Sequence, residues 1–138
     1  LHAYLDGLGV ELMANSDNVL RGGLTHKHVD IPELLEVLSF EGGPAQVLTP
    51  EALSEGSPEE IYPCQADEFA LSRITLAPGE EYVRRTDGGC EILACAEGHF
   101  LIGGGAHIGP GRSLFITADQ GDYTVRGAGR LYRASLPS

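Results

Sequence analysis

Tryptophan is missing from the 138 residues, and methionine and lysine occur once each. Positive charge is scarce as well: nine Lys+Arg stand against 20 Asp+Glu, a formal net charge of −11. A sequence-independent nucleic-acid binder, or a protein held on an anionic membrane, needs a basic face, so this balance argues against both. No apolar run approaches the ~20 residues of a membrane-spanning helix. Cys64, Cys90 and Cys95 are odd in number and lack CxxC spacing, which suggests neither a disulfide framework nor a cysteine zinc site. They read as buried thiols of a protein kept in a reducing cytoplasm. The first residue is Leu1 rather than methionine, and no signal peptide is expected. The expectation is a processed product, a truncation, or the ordered part of something longer.

What the chain has in excess is glycine, 19 residues, which is about twice average usage. With no tryptophan and few long helical patterns, this favours short strands joined by tight turns. Val10, Leu12 and Ala14 alternate with Glu11 and Met13, the pattern of a half-buried strand. Asp30 reads as an N-cap, with Pro32 near the helix start and Glu33 three residues after the cap. Ile31, Leu34, Leu35 and Leu38 then fall at helical spacing, which predicts a short amphipathic helix over 31–39, ended by Gly42-Gly43-Pro44. Residues 44–60, rich in proline and acidic side chains, read as a polar loop. From Ile61 onward, strands are predicted at 69–76, 90–96, 100–102, 112–117, 122–125 and 131–136, with turns at Ala77-Pro78-Gly79-Glu80 and Gly103-Gly104-Gly105. Short strands at spacings near ten residues predict an all-β sandwich or jelly roll.

Gly79, Glu91 and Gly98 fall where the glycine, glutamate and second glycine of the first cupin motif would fall. The two positions that hold metal-binding histidines in that motif are here Arg85 and Asp87. Gly111 is placed to start the second motif, but its proline and histidine positions read Thr117 and Asp122. The carboxyl-terminal half thus resembles a cupin skeleton without its metal ligands, and it is expected to be metal-free. An arginine among the donors repels a divalent cation that wants convergent imidazole or carboxylate ligands.

The densest stretch is LHAYLDGLGVELMANSDNVLRGGLTHK, Leu1 to Lys27. His2-Ala3-Tyr4, Glu11 with Met13-Ala14-Asn15-Ser16-Asp17-Asn18-Val19, Arg21, and Gly23-Leu24-Thr25 with Lys27 resemble the signature region of type I mannose-6-phosphate isomerases. The resemblance runs on through Val29-Asp30 to about Phe40. His26 is a departure, standing where the family pattern has proline. The resemblance implies an all-β, cupin-like jelly roll (a double-stranded β-helix) with one short helix. A strand-containing remnant of a catalytic cupin would come first. Residues 1–40 would be the carboxyl-terminal piece of that catalytic cupin, and residues 41–138 a metal-free cupin-like β domain.

It also implies chemistry. The parent would be a zinc-dependent aldose–ketose isomerase interconverting mannose 6-phosphate and fructose 6-phosphate in the cytoplasm. His2 would be one zinc ligand; the family's glutamine, histidine and glutamate ligands lie upstream and are absent from this chain. One imidazole is a quarter of a catalytic zinc site, so zinc belongs to the complete enzyme and no tight binding is expected of this chain alone. The expected partners are a sugar-phosphate substrate and the missing amino-terminal part of the same polypeptide, with no nucleic acid and no membrane.

Arg21 and Glu11 are the candidate catalytic residues. Arg21 offers a permanently charged donor fork for a phosphate or a developing oxyanion, and two glycines follow it, letting backbone approach a ligand. Glu11 is a carboxylate placed to assist proton transfer through an enediol-like intermediate, its exact role open. Lys27, Tyr4 and Asp17 are the candidate substrate-binding residues. The plainer alternatives are that Glu11 is a solvated strand residue and that Arg21 and Lys27 merely pair with Asp17 and Asp30. His99, His107 and the later arginines, Arg84-Arg85 included, read as ordinary strand and loop residues, the arginines on exposed faces. For the chain as a whole, the alternative is a non-catalytic cupin-like module that binds a sugar or another protein.

Overall fold

In the computed structural model, which describes residues 4–16, 19–44 and 47–137, the chain divides into two units, Leu1–Gln46 and Val47–Ser138. The first unit carries helix α1, Ile31–Val37. The Asp30 carboxylate accepts a hydrogen bond from the Glu33 backbone N–H at 3.1 Å, and Pro32 sits in the first turn, where an N–H would go unpaired anyway. The helix stops short of the predicted 31–39 because Leu38 turns extended. Leu34 and Leu38 are half-buried, while Ile31, Leu35 and Val37 stay exposed. The strand predicted around Val10–Ala14 does not form: residues 4–16 contain no strand. An alternating sequence becomes a strand only beside a neighbour that takes up its backbone hydrogen bonds, and no described segment of this unit pairs with it. None of the unit's described residues is buried, and Leu5, Leu8 and Leu24 are almost fully exposed.

The second unit is antiparallel β-structure. Its strands are β1 (Glu51–Ala52), β2 (Glu59–Ile61), β3 (Ala70–Leu76), β4 (Glu81–Arg84), β5 (Glu91–Ile102), β6 (Ala106–Ile108), β7 (Ser113–Ile116) and β8 (Tyr123–Ser135). Neighbours run β1-β2-β3-β8-β5-β6, with β4 also beside β8 and β7 beside β5. The two long strands, β5 and β8, pair from Glu91↔Ser135 to Ile102↔Val125. On its other edge each changes partner partway: β5 from β7 to β6, β8 from β4 to β3.

That exchange requires the long pair to bend, and the bend falls where Gly98 faces Gly129, just past a register shift between Cys95 and Glu97. A Cβ on Gly98 would stand 1.8 Å from the Ala128 carbonyl oxygen, and one on Gly129 would stand 2.1 Å from that of Glu97. Both residues have positive φ, +82° and +126°, a conformation glycine adopts without penalty. A bulge beside bare backbone bends a strand and increases its twist. The inward positions on either side of the bend form the core: Ile74, Leu76, Leu93, Cys95, Phe100, Ile102, Ile108, Ile116, Tyr123, Val125 and Leu131.

The all-β fold with one short helix is therefore as expected, while several segments differ. The strands predicted at 90–96 and 100–102 are one strand, β5, and those at 122–125 and 131–136 are joined in β8. In both cases glycines that look like turns are bends inside a continuous ladder. The 44–60 segment contains β1 and β2 rather than loop alone. Only Cys95 is a buried thiol, its pKa pushed up by burial; Cys64 and Cys90 are exposed.

Candidate functional site

Four of the six site residues singled out in the amino-terminal stretch lie in described segments. His2 and Asp17 lie outside them. Tyr4 Oη donates to Glu11 Oε1 at 3.1 Å, so these two are brought together on the exposed surface of the first unit. That hydrogen bond, followed by desolvation and the carboxylate's charge, raises the Tyr4 phenol above its usual 10.0. Tyr4 consequently remains a proton donor at neutral pH.

Arg21 is half-buried and Lys27 exposed. Among the described residues neither is held in an ion pair, so pairing with Asp30 does not account for them. Gly23 beyond Arg21 has φ +139°, with open space where a Cβ would stand. The turn before Lys27 forms although His26 replaces the pattern's proline: the Lys27 backbone N–H bonds to Thr25 Oγ1 at 3.1 Å. Among the described residues no group of three or more His, Cys, Asp or Glu side chains could hold a metal ion.

A second constellation lies inside the β unit. Glu59, Ser72, Glu91 and Arg133 are its buried polar residues. Arg133 Nε donates to Glu59 Oε1 at 2.6 Å and Ser72 Oγ at 3.1 Å, while its Nη1 reaches Glu91 Oε1 at 3.0 Å. Arg84 Nη2 donates to the same Glu91 oxygen at 2.8 Å. Ser72 and Tyr82 donate to the two oxygens of Glu59 at 2.5 and 2.7 Å, and Tyr123 donates to Glu91 Oε2 at 2.6 Å. Two guanidiniums and two carboxylates thus pair with one another away from water, although Arg84 Nε, 3.9 Å from Glu59 Oε2, is buried without a hydrogen-bond partner.

The expectation of exposed arginines is reversed at Arg84 and Arg133. The signal was there in the alternation: Arg133 lies two residues from core Leu131 in an extended strand, hence on the inward face. Glu91, at the cupin glutamate position, is bonded through both oxygens. Arg84, not Arg85, turns inward beside it; Arg85 is exposed. Burial opposes the Glu59 carboxylate. The Arg133 charge, with hydrogen bonds from Ser72, Tyr82 and Arg133, outweighs it and holds the pKa below the usual 4.5. Burial and the bond to Glu59 push Tyr82 up to about 12. Burial and the bond to Glu91 likewise raise Tyr123.

A bent antiparallel sheet around a buried glutamate, with guanidiniums beside it instead of imidazoles, defines a cupin-type β domain without cupin metal ligands. The chain matches the carboxyl-terminal portion of type I mannose-6-phosphate isomerases. It is 42% identical over 135 residues to mannose-6-phosphate isomerase of Escherichia coli, an alignment covering 96% of this chain and 34% of that protein. The enzyme of the same name from Cryptococcus neoformans is 34% identical over 132 residues, covering 94% and 29%. Among solved structures, mannose 6-phosphate isomerase of Salmonella typhimurium, bound to fructose 6-phosphate and zinc, superposes with a TM-score of 0.77 at 38% identity, covering 91% of this chain and 32% of that one. No family model matches the chain. It spans about a third of the length of the curated relatives it matches.

Proposed function

We propose that this chain is the carboxyl-terminal portion of a zinc-dependent isomerase that interconverts mannose 6-phosphate and fructose 6-phosphate, and that the complete polypeptide works in the cytoplasm. The observation that carries this reading is the 42% identity over 135 residues to an enzyme of that name. The first unit adds physical support. It exposes Leu5, Leu8, Val10, Met13, Val19 and Leu24 and has no buried residue among those described, as expected of a segment whose core is completed by another part of the polypeptide. Residues 1–40 are its catalytic piece and 41–138 the cupin-like β domain. No helix among the described residues is long and apolar enough to cross a membrane.

Zinc does not fit the described residues taken alone, since they hold no cluster of donors. His2 is assigned as one ligand, and the remaining donors belong to the absent segment. The residues present have roles of their own. Glu11 is the carboxylate placed to accept or return a proton as the hydrogen moves between adjacent carbons. Tyr4, kept protonated, orients Glu11 by donating to its Oε1. Arg21 presents its fork to the charge that develops on the enediol oxygens. Lys27 and Asp17 bind the sugar phosphate.

The test compares this chain with the complete polypeptide, each dialysed and assayed for isomerisation of fructose 6-phosphate. The complete polypeptide should turn over and retain zinc, whereas this chain should do neither. Stoichiometric zinc on this chain, lost in His2→Ala, would overturn the assignment of the other ligands to the absent segment. An inactive, zinc-loaded complete polypeptide would overturn the isomerase reading itself.

A further inference from the structure

The β unit contains a cleft of about 390 Å³ lined by aromatic, aliphatic and charged side chains, within the size range of small-molecule sites. Tyr62, Phe69 and Leu136 line its walls; Arg133, Asp87 and Ser135 supply polar groups. Arg133 is nearly buried, and its Nε and Nη1 are committed to Glu59, Ser72 and Glu91. Its Nη2 has no protein partner among the described residues, yet it is not among the buried unpaired atoms. This remaining donor is therefore the accessible part of a side chain whose open side is the cleft. Asp87 Oδ1 accepts from the Gly89 backbone N–H at 3.0 Å. That bond holds Asp87 below its usual 3.8, so it stays an acceptor-only carboxylate in neutral solution.

Charge decides what such a site takes. Two guanidiniums, Arg84 and Arg133, and the exposed carboxylate of Asp87 line it, and Glu59 and Glu91 are bonded to the guanidiniums. Glu59 and Glu91 already neutralise the arginines, and Asp87 leaves an excess negative charge that disfavours a phosphate or carboxylate. A cation is disfavoured in turn by the Arg133 donor, which asks for an acceptor. A hydroxyl meets both demands, accepting from Arg133 and donating to Asp87. The half-buried rings of Tyr62 and Phe69 offer apolar faces to the C–H side of a compact ring. We propose that this cleft is a binding site for a neutral monosaccharide, formed by residues other than those assigned to isomerisation and independent of that assignment.

The test titrates the 138-residue chain with D-mannose and, separately, with inorganic phosphate, following backbone amide signals by NMR. D-mannose should produce saturable shifts at Phe69, Ala70, Asp87, Gly89 and Ser135, and phosphate should leave these signals in place. Asp87→Ala and Phe69→Leu should each weaken mannose binding at least about tenfold, roughly the loss of one good polar or packing contact, with the Ile74 and Leu131 signals unmoved as evidence of folding. The proposal is overturned if mannose gives no saturable shift up to about 100 mM, far above a Kd of 1 mM. It is equally overturned if the shifts persist unweakened in Asp87→Ala, or if phosphate competes at the same amides.

Discussion

Arg133 is the residue on which the interior of the β unit turns, because it bridges Glu59 and Glu91 from opposite sides of one guanidinium. Removing one member of a buried ion group leaves the others uncompensated, at a cost of about 3–5 kcal/mol. Arg133→Met should lower the stability of the chain by that amount in urea denaturation, and Glu59→Gln added to it should recover part of the loss. A change below about 1 kcal/mol would mean the network is solvated. Acid should act on the same residues. Because the pKa of Glu59 is depressed in the fold, its contribution is fully present above its unfolded value of 4.5 and is lost as pH falls through the lower folded value. Urea midpoints measured from neutral pH to about pH 3 should fall in the acid range, and Glu59→Gln should flatten that fall. Little of this cluster was legible residue by residue. Arginine is so often exposed that its composition argues for the surface, and only its parity with Leu131 places it inside.

Among the elements, the bent pair β5–β8 was the hardest to foresee. Glycine signals a turn in sequence, yet Gly98, Gly127 and Gly129 lie within paired strands, because what they serve is a backbone contact made between residues about thirty positions apart. A Cβ at Gly98 meets the Ala128 carbonyl with no room to relax, at a positive φ. Gly98→Ala should therefore destabilise the β unit by more than about 2 kcal/mol. Gly104 faces open space in a turn, so Gly104→Ala should change stability by no more than about 0.5 kcal/mol. Thermal denaturation of the two variants makes the comparison, and equal stabilities would contradict the account of the bend. The helix α1 is the opposite case. Its cap, proline and apolar spacing are local, and its start at Ile31 was readable from the sequence alone.

At the scale of the whole molecule, the two units rest on different physics. The β unit encloses a core, whereas the first unit leaves many of its apolar residues exposed and has no buried position among those described. Amide hydrogen exchange on this chain should show protection concentrated in β3, β5 and β8 and fast exchange across residues 4–16 and 19–29; comparable protection in both would contradict the view that the first unit needs further polypeptide. The candidate site is proposed from the sequence as a string of residues, His2 to Lys27. Its geometry was not legible there, since the sequence places Tyr4 on Glu11 only once the backbone is traced. The role proposed for Arg21, stabilising the charge that develops on the enediol oxygens, is read out by kcat of Arg21→Ala in the complete polypeptide. The account predicts a fall of about 10²–10³-fold with zinc content unchanged, and only partial recovery in Arg21→Lys because the fork is lost. A normal kcat in Arg21→Ala would contradict it.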